Sequence, residues 1–226
     1  MRIVELDSAS PEVDELYTAI LVPSFPPDEL GPKEAVAQLA DADHGSVFAA
    51  LDDDGTVLGC AVGEWDADPG VWLLSWLAVR PGHRGGGVGG PLLDAALQAW
   101  RARHGPCLVL AEVENPARHT GNAAHGDPAA RLRFYQRRGG RVLDLPYFQA
   151  ALGPGLSRVR DLYLMVLHAD PRYAGADPDT IDAAVLRRYL EGYQEQCEGA
   201  IGTDDEAMAL WRALDRPNGI PFARPQ

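Results

Sequence analysis

Residues 71–79, Val-Trp-Leu-Leu-Ser-Trp-Leu-Ala-Val, are apolar almost throughout, and Arg-Pro-Gly-His-Arg-Gly-Gly-Gly-Val-Gly-Gly follows them directly to residue 90. An apolar run of this length predicts a strand buried on both faces. Beyond the glycines, Leu92, Leu93, Ala96, Leu97 and Trp100 fall on one helical face, with Arg101, Arg103 and His104 near the end, where cations complement the helix dipole. Few chains can place a buried strand, a glycine turn and an amphipathic helix in immediate succession. The junction suits an anion, because glycines let the backbone approach closely and the helix N-terminus adds positive potential. Arg84 can supply a full charge, and Pro91 stands in the first turn, where its missing N–H is no loss.

The flanking segments read as alternating short elements. Arg2–Leu6 predicts a strand, followed by a helix through Val13, Leu16, Tyr17, Ile20 and Leu21 behind Ser10 as cap and Pro11 as first residue. A second helix is predicted over 31–41. Two strands, 46–51 and 56–65, are joined by Asp52-Asp-Asp-Gly55, a hairpin signal that implies antiparallel pairing. Cys107 to Glu114 predicts the next strand, and Asp127-Pro128 opens a helix that Gly139-Gly140 stops. Two further strands are expected at 141–145 and 159–168. Past Asp170 the pattern turns to Pro-interrupted helices, with Thr203-Asp-Asp-Glu206 as a capping box. The expected architecture is α/β (α+β): a mixed, mostly antiparallel sheet flanked by helices over 1–168, with a helical C-terminal extension over 169–226.

Gly85, Gly87 and Gly90 also satisfy the dinucleotide spacing G-x-G-x-x-G, and Glu112 stands where that motif wants a ribose-binding acid, so NAD remains an alternative. Two features oppose it. Arg80-Pro-Gly-His-Arg84 separates the strand from the first glycine, and the preceding strands are hairpin-linked rather than joined by helical crossovers. A nucleotide-triphosphate loop is excluded because no Gly-Lys-Ser/Thr follows.

Arg84-x-x-Gly87-x-Gly89 after a strand, in this order of elements, resembles the signature of the GNAT superfamily of acyl-CoA-dependent N-acetyltransferases. Arg131-Leu-Arg-Phe-Tyr135-Gln-Arg-Arg-Gly139 is similar to the helix-and-glycine segment after that family's fifth strand, and the resemblance spans about residues 1–168. It implies that acetyl-CoA is the acyl donor. Arg84, Gly85, Gly86, Gly87, Val88, Gly89 and Gly90 would then hold its pyrophosphate, and the backbone around Leu77, Ala78 and Val79 would pair with the pantetheine arm. Tyr135 matches the family tyrosine near the sulfur, a phenol able to protonate the departing thiolate.

Direct transfer also needs a group to deprotonate the amine. Alternation along 107–114 puts Leu108, Leu110, Glu112 and Glu114 on one face, the two carboxylates about 7 Å apart. Either can serve as the base, and Glu64, near the end of another strand, is a third candidate. The loop 115–126 departs from the family pattern in its length and carries His119 and His125, which lack a third partner at metal spacing. With Cys60, Cys107 and Cys197 unpaired in spacing, no metal site is expected.

A net charge of −13 disfavours nucleic acid and anionic membranes as partners and suits a cationic acceptor. No apolar run reaches the roughly 20 residues of a membrane span, so a cytoplasmic location is expected. The acceptor is expected to be a small-molecule or peptide amine, and an oligomer is compatible with the sequence. A catalytically silent acetyl-CoA-binding module would keep the same glycine turn.

Overall fold

The computed structural model describes residues 1–121 and 126–223 and divides into two units, residues 1–67 with 72–105, and residues 68–71, 106–121 and 126–223. Seven strands make a mixed, mostly antiparallel sheet flanked by helices, as the sequence predicts.

In the first unit the order is β1 (Arg2–Leu6), β2 (Gly45–Leu51), β3 (Val57–Asp66) and β4 (Val71–Val79, whose first residue belongs to the second unit). Arg2 pairs with Leu51 and Gly45 with Glu64, so the Asp52–Gly55 turn closes the expected hairpin. Helices α1 (Glu12–Leu16) and α2 (Lys33–Asp41) bury Val13, Leu16, Val36 and Leu39 in one core with Cys60, Val62, Trp76 and Ala78. The expected Ser10 cap is absent: Pro11 already has helical dihedrals, and the Ser10 hydroxyl donates to Asp7 Oδ1 instead. Tyr17–Leu21 continues α1 as a π-turn, in which Val22 N–H reaches the Tyr17 carbonyl at 3.0 Å.

Period-two alternation sorts β3 into two faces. Cys60 and Val62 enter that core, whereas Gly59, Ala61 and Gly63 leave room for α3 (Gly89–Arg103), whose Leu92, Leu93, Ala96 and Trp100 are buried. A Cβ at Gly63 would lie 2.3 Å from the Trp100 ring, so the small residue sets how closely helix and sheet pack. The Trp100 indole is fully buried and stacks on Trp72 at 5.0 Å, a pairing worth about 0.5–1.5 kcal/mol beyond its burial.

The second unit orders its strands β5 (Leu108–Glu114), β7 (Leu162–Ala169) and β6 (Arg141–Val142). Two predicted strands are shorter than expected. Asp161 has a φ of +58°, which keeps β7 from starting at Val159, and just past β6 Leu143 bridges Phe222 while its N–H still donates to the Leu164 carbonyl at 2.9 Å. Helix α4 (Pro128–Gln136) starts where predicted: the Asp127 side chain accepts from Ala129 N–H at 2.9 Å.

The segment after residue 168 holds α5 (Ala183–Glu198), α6 (Asp205–Ala213) and the pair β8 (Thr180–Ile181) and β9 (Ile220–Pro221). The cap of α6 is Asp204, not Thr203; its carboxylate accepts from Glu206 and Ala207 N–H. Arg158 ties the irregular stretch before β7 to this segment, donating to Glu198 at 2.6 and 2.7 Å and to Asp204 at 2.9 Å while lying over the Phe148 ring. Those hydrogen bonds hold the Glu198 carboxyl below its usual range, with Arg158 the largest cause. The chain end returns to β6, since Asp144 N–H donates to Pro221 O and Ala223 N–H to Val142 O.

Candidate active site

The cofactor-binding candidates lie in the first unit. β4 is buried on both faces only as far as Leu74; beyond it Trp76 and Ala78 stay buried while Ser75, Leu77 and Val79 are half-buried. Arg80 pins the end of the strand, donating from Nε to the Val57 carbonyl at 2.6 Å and from Nη2 to Glu15. Its own N–H reaches the Leu58 carbonyl at 2.8 Å. The turn therefore leaves a fixed base.

Residues 81–87 are exposed. Gly85 and Gly87 both have φ of +81°, a left-handed conformation that side chains disfavour, and a Cβ on either would meet no atom within 4 Å. Val88 caps α3 without any side-chain hydrogen bond, so the cap residue leaves the first amides of the helix to other acceptors. Open space at two left-handed glycines beside a helix N-terminus is the shape that a phosphate needs. Not every amide of the turn contributes. Gly86 N–H donates to the His83 carbonyl at 3.2 Å and stabilises the loop itself. Arg84 is exposed, its Nη2 3.4 Å from the Ser24 hydroxyl. Behind β4, burial pushes the Cys60 thiol up to about 12, so it is protonated at neutral pH and unsuited to covalent acyl transfer.

The proton-transfer candidates lie in the second unit. Tyr135 on α4 is 5% exposed, and burial pushes its phenol up to about 12 against the opposing charge of Arg131. It therefore keeps its proton at neutral pH. Glu112 accepts a hydrogen bond from the buried Tyr147 hydroxyl, whose own ionisation is pushed far up, first by burial and then by the Glu112 charge. Glu114 is ion-paired to Arg131 at 2.6 Å and lies 3.6 Å from His119 Nδ1. Arg131 thus connects Glu114 to Tyr135, while Glu112 goes with Tyr147. Glu64, in the first unit, accepts from Ser75 Oγ at 2.6 Å.

Sequence reading missed Arg131 and Tyr147 as partners of these groups. The i, i+4 spacing of Arg131 and Tyr135 signals the first. Nothing local signals the second, since Tyr147 sits in an irregular stretch and meets Glu112 only through the fold. His119 Nε2 lies 3.0 Å from the Arg160 carbonyl, and His125 falls outside the described residues.

The family model of the acetyltransferase (GNAT) domain matches residues 43–139, from before β2 to the end of the α4 segment. Over that segment the chain is similar to GNAT acetyltransferase domains. Among solved structures, a protein described as an acetyltransferase from the GNAT family of Bacteroides thetaiotaomicron superposes with a TM-score of 0.64 at 22% identity, over 86% of this chain and 99% of that one. The aminoglycoside 6'-N-acetyltransferase complexed with coenzyme A gives 0.53 at 18%, over 76% and 99%. The aminoglycoside 6'-N-acetyltransferase from Enterococcus faecium gives 0.50 at 17%, over 76% and 99%. At such identities the likeness establishes the GNAT fold. The 86% share reaches past residue 168, so the first likeness includes part of the C-terminal segment. No curated protein sequence matches the chain.

Proposed function

We propose that the protein is an N-acetyltransferase that moves the acetyl group of acetyl-CoA directly onto a primary amine. The observation that carries this reading is the glycine turn, open at Gly85 and Gly87 and running into the α3 N-terminus, inside the segment that matches the GNAT model. Acetyl-CoA supplies a thioester-activated acetyl group. Arg84 and the 85–90 backbone hold its pyrophosphate, and the half-buried face of β4 at Leu77 and Val79, flanking Ala78, receives the pantetheine arm as an added strand. Glu112 takes the proton that the amine loses as its nitrogen bonds to the carbonyl carbon. Tyr135 gives its proton to the sulfur as the C–S bond breaks, and solvent returns it. Glu114, already ion-paired with Arg131, orients that arginine beside Tyr135 and is the second candidate for the base.

The acidic balance of the chain favours a cationic acceptor, and the aminoglycoside enzymes among the structural neighbours act on molecules of that kind. Among the described residues no helix is long and apolar enough to cross a membrane. We assign transfer to residues 1–168 and a supporting role to 169–226. One observation favours the second reading, a silent acetyl-CoA-binding module: both β5 carboxylates already have protein partners. Calorimetry with acetyl-CoA and with NADH tests the proposal. Saturable acetyl-CoA binding without NADH binding is expected, and the reverse pattern would overturn the reading of the turn.

A further inference from the structure

The start of β5 and the end of β7 bring together three residues that the acetyltransfer reading does not use. Leu108 pairs with Ala169, so Cys107 and Asp170 stand opposite one another just beyond the ladder. Asp170 N–H donates to the Cys107 carbonyl at 3.1 Å, and the Asp170 side chain accepts in return, its Oδ2 2.8 Å from the Cys107 N–H. Strand periodicity puts His168, two residues before Asp170, on the same face. The register slips between Val109 and Leu110, pairing His168 with Val109 but Val166 with Leu110, and leaves Leu167 as the extra residue of a bulge. That bulge fixes which face His168 takes.

The result is a cluster in which one thiol, one imidazole and one carboxylate offer ligand atoms within 4.8 Å of one another. His168 Nε2 lies 3.2 Å from Asp170 Oδ2. Cys107 is fully buried, whereas His168 and Asp170 line a cavity of about 350 Å³ together with Arg141, Thr180 and Phe222. The cluster is thus closed on the cysteine side and open on the other. It is separate from the proton-transfer candidates, because β5 carries Glu114 at its opposite end, about 20 Å along the strand.

We propose that Cys107, His168 and Asp170 form a binding site for a borderline-soft divalent cation, with zinc as the best fit, whose fourth ligand is a water from the cavity. A thiolate and an imidazole select zinc over magnesium or calcium, which take oxygen ligands. Tetrahedral zinc with bonds of about 2.0–2.3 Å sets its ligand atoms about 3.5 Å apart, so the side chains need to close by only about 1 Å. Asp170 can bind while keeping the Cys107 amide, since a carboxylate offers about four acceptor positions. That amide holds the carboxylate in orientation, as outer-shell partners of metal ligands do. Binding replaces the thiol proton: the S–H bond breaks, a Zn–S bond forms and H⁺ leaves to solvent.

The test uses the untagged full chain, stripped with a chelator, desalted and titrated with Zn²⁺ alone against a chromophoric competitor at neutral pH. One zinc per chain is expected. His168→Gln should weaken binding by roughly 10- to 100-fold or more. Cobalt in place of zinc should give a thiolate-to-metal charge-transfer band, lost in Cys107→Ser and kept in Cys197→Ser. His168 is partly exposed, so its variant remains informative even if the buried Cys107 variant fails to fold. The absence of saturable binding, or a His168→Gln protein that binds zinc as tightly as the wild type, would overturn the proposal. So would a wild-type cobalt complex without the thiolate band.

Discussion

Replacing Gly87 by alanine should separate the phosphate role of the turn from its backbone strain. At φ +81° an L-residue costs about 1–2 kcal/mol, and with no atom within 4 Å of the new Cβ there is no steric clash to add. For a chain of this size that lowers Tm by roughly 2–8 °C. Gly55, in the β2–β3 hairpin, is the matched control: its φ is +87° and its Cβ position is equally open. Both variants should therefore lose similar stability. Only Gly87→Ala puts a methyl group where the pyrophosphate is to lie, or turns its amide away. Losing one charge-assisted hydrogen bond costs about 1.5–3 kcal/mol, a roughly 10- to 150-fold weaker Kd for acetyl-CoA. Paired melting curves and calorimetry on the two variants provide the readout. Equal acetyl-CoA affinity in wild type and Gly87→Ala, at the expected Tm loss, would refute the reasoning.

Three further outcomes follow from the second unit. Tyr135→Phe keeps the buried ring and removes the donor, so single-turnover transfer should slow by about 10²-fold or more with acetyl-CoA affinity nearly unchanged; a full-rate variant would end the general-acid role. Glu112→Gln should lose activity that recovers as pH rises and the acceptor deprotonates itself, and a profile parallel to wild type would move the base to Glu114, Glu64 or water. Because burial raises the Tyr135 phenol from 10.0 to about 12, the unfolded chain ionises first. This contribution is intact below about pH 10 and is lost as pH climbs toward about 12, roughly 3 kcal/mol in all. Urea midpoints should fall over that window, less so in Tyr135→Phe, and equal falls in both proteins would contradict the assignment.

What the sequence made legible was local. β1, the β2–β3 hairpin, β4 and α3 are set by apolar periodicity and turn residues within each segment, and they appear where predicted. The helix caps were less secure, because neighbouring residues compete: Thr203 and Asp204 can both cap, and the extended backbone falls at Asp204. Long-range contacts left no local trace. Leu143, just past β6, bridges Phe222 from far along the chain, and Tyr147 finds Glu112 across the unit. The glycine turn was readable for the same reason as β4, since helix, strand and φ-positive positions adjoin in sequence. The partners of the acid and base candidates were not, apart from Arg131.

Amine-dependent release of free CoA thiol from acetyl-CoA, followed across a library of primary amines, tests the central claim most directly. The account predicts saturable release with at least one amine, a cationic one first, forming one equivalent of acetylated product per thiol and slowed in Tyr135→Phe. Tight acetyl-CoA binding with no amine-dependent release across the library would contradict it and favour the silent binding module.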